Sequence, residues 1–497
     1  MRGHARVFPY NPAGVATMKE TLERELKLSV DRGFRLPELP GRSLARHTLT
    51  STYHDSRDFR LARAGVTLRR RVENRKSVWQ LKLPRGAARL ELEVPGGPGD
   101  PPAALVELLP AYLRGAPLEP VATLRTKRSG VRVRDDGGTV ADVTIDAVGV
   151  YDNGKSIGSF REVEVELIEG DEKGLKRIDR ALRKAGATDG DGRPKVFRAL
   201  SLERPAEPEA PGKNAPATEH VRALIGAQYR AIVAHDPGTR SGRDAEELHQ
   251  MRVATRRLRA FLKAGSPLLD EAWADSLRAE LGWLGSALGP VRDLDVFLEH
   301  LRGDSNGLEP KEQRALRRIF RRLEGDHAEA RAALLAALTS ERYTALLDRL
   351  EQAVDAPSFS PEAGDVSLED IAAHQFRRLR KAVKDLPEDP TDAELHEIRI
   401  RGKRARYAAE LAEPVAGKKT TRFIREAKAF QDVLGEHQDA VFAEEHLRAL
   451  LTELGGASTA FAAGRLVERQ RERREDARGS FRKAWKALDR RGRQAWS

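Results

Sequence analysis

The chain has 497 residues, with 88 lysines and arginines against 76 acidic residues, a net charge of +12 and no cysteine. Disulfides, thiolate metal sites and a cysteine nucleophile are therefore excluded, and no stretch approaches the roughly 20 apolar residues of a membrane-spanning helix. The length suits two domains, one of them large, and the positive excess is spread too evenly along the chain to name a partner by itself.

Residues 1–17 lack the apolar core of a signal peptide and read as a disordered extension, which makes Met18 a candidate start and the cytoplasm the expected location. Six segments then alternate charged and apolar residues with the period of a strand. In the first, Glu23, Glu25 and Lys27 share one face and Leu22, Leu26 and Leu28 the other. Arg69, Arg71 and Glu73 follow against Leu68 and Val72, then Gln80 and Lys82 against Trp79, Leu81 and Leu83, then Arg89, Glu91 and Glu93 against Leu90, Leu92 and Val94. Asp142 and Asp146 alternate with Val143 and Ile145, and Glu162, Glu164 and Glu166 with Val163, Val165 and Leu167. A single such strand turns its charges to water. Six together predict an antiparallel sheet closed into a barrel, with a charged lumen inside and an apolar outside resting on helices. Basic residues there suit phosphate oxygens, and clustered carboxylates suit a hard divalent cation such as Mg2+ or Mn2+.

In RTKRSG, 125–130, Arg125 and Lys127 share a face, so Arg128 joins them only if the strand ends or bulges. GVYDNGKS, 149–156, matches the Walker A pattern letter for letter, but the strand-like SFREVEVEL follows it where a phosphate loop needs a helix. Asp152-Asn153-Gly154 reads instead as a hairpin turn. ERPAEPEAPGKNAPAT, 203–218, rich in Pro, Ala and Glu, reads as a semi-extended linker.

From Glu219 onward Ala, Leu, Arg and Glu recur at helical spacing, with breaks near Asp236–Gly242, Gly303–Glu309, Ala356–Asp365 and Pro387–Thr391. This all-helical domain contains a repeat. LHQMRVATRRLRAFL at 248–262 aligns with LHEIRIRGKRARYAA at 395–409, and LGPVRDLDVFLEHL at 288–301 with LGEHQDAVFAEEHL at 434–447, predicting two similar helical groups. At 100° per residue His249, Arg252, Arg256, Arg259 and Lys263 fall within about 80° of one face, and so do His396, Arg399, Lys403 and Arg406 in the second copy. Like charges at this spacing repel by a few tenths of a kcal/mol per pair, so a duplicated stripe points to an anionic ligand. No recognition motif or stacking aromatics accompany it, and sequence-specific nucleic-acid binding is not expected.

The segment 18–203 resembles the CYTH domain of triphosphate tunnel enzymes. ERELK fits the family's ExExK signature, STYHDSRDFRLARAGVTLRRR its second and third strands, and WQLKLP, RLELEV, FREVEVEL and PKVFRAL follow in the expected order. The segment 219–490 resembles the CHAD domain, the histidine-named helical module often joined to CYTH. The resemblance implies an α+β protein in which residues 1–17 form an extension, 18–203 an antiparallel β-barrel tunnel with flanking helices, 204–218 a linker, and 219–490 two pseudo-symmetric four-helix bundles.

For the tunnel it implies hydrolysis of a linear triphosphate. Lys27, Arg69, Arg71, Lys82, Arg125, Lys127, Arg128 and Lys195 are the candidate phosphate contacts. Glu23, Glu25, Glu164 and Glu166 are the candidate ligands of Mg2+ or Mn2+, and Glu91, Glu93 and Asp146 orient bases or water. Glu73, Arg89 and Glu162 read as internal salt bridges. For the helical domain it implies inorganic polyphosphate binding, and an association with polyphosphate granules in the cell, through His249, Arg252, Arg256, Arg257, Arg259, Lys263, His396, Arg399, Lys403, Arg404 and Arg406. Arg257 and Arg404 lie off the main stripe and read as salt-bridge partners of Asp293 and Asp439. Non-enzymatic polyphosphate binding, adenylyl cyclase activity and thiamine triphosphatase activity are the alternatives.

Overall fold

The computed structural model describes residues 18–496, apart from Ala87, Asp136, Gly137, Asn153, Gly170, Asp191, Gly192 and 204–207. The expected extension at 1–17 lies outside the described residues. The chain divides into two compact units, up to residue 207 and from residue 208. No described helix is long and apolar enough to cross a membrane.

The first unit is built on ten strands: β1 (Lys19–Glu23), β2 (Glu25–Ser29), β3 (Gly41–Asp55), β4 (Thr67–Glu73), β5 (Lys76–Arg85), β6 (Ala88–Pro95), β7 (Glu119–Asp135), β8 (Gly138–Asp152), β9 (Lys155–Leu167) and β10 (Thr188–Asp189). They form one antiparallel sheet in the order β1-β6-β5-β4-β3-β7-β8-β9-β2-β10. Five short helices accompany it: α1 (Arg60–Arg63), α2 (Ala103–Val106), α3 (Pro110–Leu113), α4 (Glu172–Lys184) and α5 (Lys195–Ala199).

The expected closure of the barrel needs correction. Among the described residues no ladder joins the two ends of the sheet, which is open. The ExExK segment is broken at Arg24 into β1, which pairs with β6, and β2, which pairs with β9. Two halves of nearly continuous chain thus serve strands at opposite ends of the sheet, so the sheet curls round although its ladder stays interrupted. The phase of the side chains survives the break, because Glu23, Glu25 and Lys27 all line the interior. The apolar partners fare differently: Leu28 packs with Val143, Val163 and Val165 against Ile178 and Leu182 of α4, whereas Leu22 is 57% exposed.

The Walker-like segment spans the end of β8 and the start of β9, with Gly154 at φ 80 in the turn region; Asn153 is outside the described residues. Strand, not helix, follows it. At Gly130 the sheet is tight enough that a Cβ would approach the Val143 carbonyl oxygen to 2.2 Å, next to the register shift of β3 between Leu44 and His47.

The second unit comprises α6 (Ala217–Ser241), α7 (Ala245–Ala264), α8 (Glu271–Ser305), α9 (Pro310–Ala315), α10 (Arg317–Thr339), α11 (Glu341–Asp355), α12 (Leu368–Lys384), α13 (Asp392–Ala416), α14 (Lys418–Leu454) and α15 (Ala457–Trp496). The break expected from Asp236 comes later: α6 runs through Pro237 and stops at Gly242, whose left-handed φ of 63 terminates it. Buried Asp236 holds this turn by accepting from Arg240 and from the Tyr343 hydroxyl at 2.9 Å.

The repeated helices begin alike. Asp244 caps α7 and Thr391 caps α13, each five residues before the repeat's histidine. The two helical groups are also joined through shared helices. One core joins α12, α13, the front of α14 and the rear of α15 through Phe376, Phe423, Phe430 and Phe481. A second joins the end of α8 and the start of α10 to the rear of α14 and the front of α15 through Phe297, Leu323, Leu447 and Leu466. The long α14–α15 hairpin, about 55 Å at 1.5 Å per residue, therefore ties the halves together.

Candidate functional site

In the first unit alternate residues of the curled sheet project into a cavity of ≈ 60 Å³. Its walls carry seven cations (Lys27, Arg69, Arg71, Lys82, Arg89, Arg128 and Lys195) and six carboxylates (Glu23, Glu25, Glu91, Asp146, Glu164 and Glu166). Most of these charges are already paired with one another.

The densest knot surrounds Lys195, which α5 delivers from the end of the unit. Its Nζ lies 3.0 Å from Asp146, 2.6 Å from Glu162 and 2.7 Å from Glu164. Burial disfavours the ammonium, but these three carboxylates outweigh it and raise the pKa. Arg128 holds Asp146 through two bonds of 2.8 and 2.7 Å and also meets Glu164. Lys27 lies 3.2 Å from both Glu25 and Glu164. Burial works against the charge on Glu164, yet Lys195, Lys27 and Arg128 bring its pKa well below the usual carboxylate range.

Across the cavity Lys82 binds Glu23 and lies 2.9 Å from Glu91. Here compensation is thinner. Burial, opposed by Lys82 and reinforced by Glu91, pushes Glu23 up to about 7, and burial likewise raises Glu166. Arg69 donates to Gln80 at 2.8 Å and to the Tyr53 hydroxyl at 3.1 Å. Arg71 is tied at 2.6 Å to Glu73, which also meets His47 at 3.1 Å.

Several expected placements change. Arg128 points inward with no bulge against β8, pairing directly with Asp146, which puts Arg125 and Lys127 on the opposite, exposed face. Arg125 lies over the Tyr151 ring outside, 5.5 Å from its centroid. Glu93 does not line the cavity and accepts from Gln80 instead. Arg89, expected in an internal salt bridge, lines the cavity and donates to the Gly65 carbonyl at 2.7 Å.

A second carboxylate group stands beside the expected metal set. Of the described residues, Asp146, Glu162 and Glu164 bring ligand oxygens within 4.8 Å of one another and could hold one ion, sharing only Glu164 with the expected Glu23, Glu25, Glu164 and Glu166. Hard oxygen donors suit Mg2+ or Mn2+, but the Lys195 ammonium already lies within 3.0 Å of all three carboxylates. Glu166, by contrast, has no hydrogen bond or ion pair among the described residues.

In the second unit α7 and α13 place His249, Arg252, His396, Arg399, Lys403 and Arg406 half-buried beside their apolar faces, with Arg256, Arg259 and Lys263 exposed. Burial, then Arg399, Arg256, Arg252 and Arg406, lower Lys403 to about 7. Burial similarly lowers Arg399, against the pull of Asp439. The off-stripe pairings are not those expected. Arg257 reaches Glu410 of α13 at 3.0 Å, Asp293 pairs with Arg252 at 3.1 Å, and Arg404 is exposed.

The two copies differ as well. Gln438, aligned with Arg292, meets His396 Nδ1 at 2.6 Å, whereas buried His249 Nδ1 has no partner among the described residues and faces Arg292, Arg256 and Arg252. Neither Arg292 nor Glu410 lies on the repeated stripe, so the sequence did not single them out.

A curled antiparallel sheet lined by interleaved lysine, arginine and carboxylate side chains, followed by a duplicated helix led by histidine, defines a two-domain protein of the triphosphate-tunnel and histidine-helix type. The CYTH domain model matches residues 21–193 and the CHAD domain model residues 223–448, and the chain belongs to the proteins that join these two domains. It is 32% identical over 484 residues to the uncharacterized protein MT2285 of Mycobacterium tuberculosis, covering 90% of this chain and 91% of that one. PptA from Streptomyces chartreusis is 26% identical, over 55% of this chain and 100% of its own, with a TM-score of 0.47. The CHAD domain from the plant Ricinus communis is 29% identical, over 57% of this chain and 96% of its own, with a TM-score of 0.46.

Proposed function

We propose that the tunnel hydrolyses a linear inorganic triphosphate with the help of Mg2+ or Mn2+, and that the helical domain binds inorganic polyphosphate. The observation that carries the first part is the interleaving of carboxylates with cations around one cavity. A site for anion capture alone has no use for Glu23, Glu25 and Glu166 beside its phosphate contacts, because each carboxylate repels the ligand. With seven cations against six carboxylates, the wall cannot neutralise a triphosphate, so counter-cations must enter with it.

In this reading Lys27, Arg69, Arg71, Lys82, Arg128 and Lys195 hold phosphate oxygens, the arginines offering two donors each and the lysines point charges. The limited free space means that the chain enters by exchanging wall ion pairs for phosphate contacts. Glu23, Glu25, Glu164 and Glu166 would hold the metal, whose chemistry is to neutralise charge on the transferred phosphoryl group and lower the pKa of water. Asp146 and Glu162 would hold Lys195 in place, and Glu91 would orient Lys82. The domain limits 18–203 and 219–490 belong to the same reading.

For the helical domain the supporting observation is the cluster around Lys403, where burial and then four guanidinium groups depress a lysine that has no carboxylate partner among the described residues. A polyanion would supply the missing compensation. Phosphate release should be measured with tripolyphosphate, ATP, thiamine triphosphate and long-chain polyphosphate, in Mg2+, in Mn2+ and in chelator. Metal-dependent release strongest from tripolyphosphate is expected. Release confined to ATP, as pyrophosphate, would make the tunnel a cyclase, and no release with polyphosphate binding retained would make the protein a binder.

A further inference from the structure

Strand β3 places Leu49, Ser51 and Tyr53 in the tunnel wall, and Ser51 is the member whose chemistry is unspent. It is 2% exposed, and its Oγ has no hydrogen-bond partner among the described residues. A buried hydroxyl in a folded protein is ordinarily bonded, and one left unsatisfied calls for an explanation.

Register supplies one. Ser51 stands directly opposite Arg71 on β4 and Leu124 on β7, while its neighbour Tyr53 stands opposite Arg69. Directly opposed side chains share a face of the sheet, with Cβ atoms about 5 Å apart. Arg69, Arg71 and Leu124 also line the cavity, so the hydroxyl opens onto the same space between two guanidinium groups. Neither arginine is bonded to it: Arg69 donates to Gln80 and Tyr53, and Arg71 to Glu73. Guanidinium offers only donors, so two arginines and an unbonded hydroxyl proton converge on a place that an anionic acceptor would satisfy.

We propose that Ser51 is a substrate-positioning residue that donates its hydroxyl proton to a phosphate oxygen held between Arg69 and Arg71. The inference rests on the triphosphate reading of the tunnel and adds to it a neutral donor. A hydroxyl rotates to follow its acceptor at no cost in charge, so Ser51 grips the chain without demanding a further counter-ion. Its contribution is to binding rather than to the chemical step, because the contact forms equally with substrate and with the transition state.

The test is Ser51→Ala in the full-length protein, read three ways. Hydrolysis of tripolyphosphate should show KM raised roughly tenfold to a hundredfold, the usual worth of a hydrogen bond to a charged group, with kcat within about twofold. Calorimetric binding of tripolyphosphate should weaken by a similar factor. Thermal unfolding without ligand should be unchanged or slightly higher, since the substitution removes an unsatisfied buried group, whereas a structural role for the hydroxyl would lower it. Ser51→Thr, which keeps the hydroxyl, should restore most of the affinity.

Unaltered KM and affinity in Ser51→Ala would overturn the proposal, as would a lowered unfolding temperature that accounts for the loss. If the unmodified protein binds but does not hydrolyse tripolyphosphate, and Ser51→Ala weakens that binding, the inference stands and the hydrolase reading falls. If the unmodified protein neither binds nor hydrolyses it, both fall.

Discussion

Replacing Lys195 with methionine removes the ammonium that lies within 3.0 Å of Asp146, Glu162 and Glu164 and leaves a side chain of similar length. Deleting one partner of a buried ion pair costs about 3–5 kcal/mol, because the other charge stays buried without compensation. Here each carboxylate keeps something. Asp146 and Glu164 retain Arg128, Glu164 retains Lys27 at 3.2 Å, and Glu162 retains Arg198 at 3.3 Å. The lower end, about 3 kcal/mol, is therefore expected. For a unit of this size that corresponds to a fall of about 6–12 °C in the Tm of the first transition.

Scanning calorimetry of the full chain measures it, with tripolyphosphate identifying which transition belongs to the tunnel. Vacating the carboxylate trio should also strengthen its response to a cation, so Mn2+ should recover more of the Tm in Lys195→Met than it adds to the unmodified protein. A variant whose Tm is unchanged or raised, and which ignores Mn2+, would show that the knot around Lys195 neither stabilises the tunnel nor offers a cation site.

Glu23, raised from 4.5 to about 7, binds its proton more tightly in the folded state than in the unfolded chain. Its contribution to stability is full below pH 4.5 and lost as the pH rises to about 7, on the order of 3 kcal/mol; urea unfolding from pH 4.5 to 7.5 should show this slope, and Glu23→Gln should flatten it. Lys403, lowered to about 7, should take up a proton when a polyanion lies beside it, so polyphosphate affinity should fall by up to about tenfold per pH unit above 7. Calorimetry in two buffers of different ionisation enthalpy detects that proton, and Lys403→Gln should abolish it. Arg125→Ala and Lys127→Ala, on the outer face, should leave kcat/KM for tripolyphosphate within about twofold, while Arg69→Ala should lower it by at least about tenfold.

Charge alternation made most of the tunnel wall legible, because a period of two sorts residues by face without any need to know the partner strands. Glu23, Glu25, Lys27, Glu91, Glu164 and Glu166 all share the interior on that ground alone. At Arg125–Arg128 two phases compete within four residues, and only the pairing of Arg128 with Asp146 decides between them. The uncharged wall of β3 was silent, since Leu49, Ser51 and Tyr53 carry no alternation of charge. The break at Arg24 was hidden because it preserves side-chain phase while changing the partner strand.

In the helical domain the repeat exposed the basic stripe, whereas contacts between helices far apart in sequence could not be read from it. Arg257 with Glu410 joins residues 153 positions apart, and the core shared by α8, α10, α14 and α15 depends on the lengths of α14 and α15 rather than on the repeat.

The most direct test of the central claim is phosphate release from tripolyphosphate by the unmodified protein, by Glu25→Gln and by Lys27→Ala, each with Mn2+ and with chelator. The account predicts metal-dependent release by the unmodified protein and its loss in both variants while their folds and polyphosphate binding persist. Folded variants that release phosphate at the unmodified rate, or release that ignores the chelator, would contradict it.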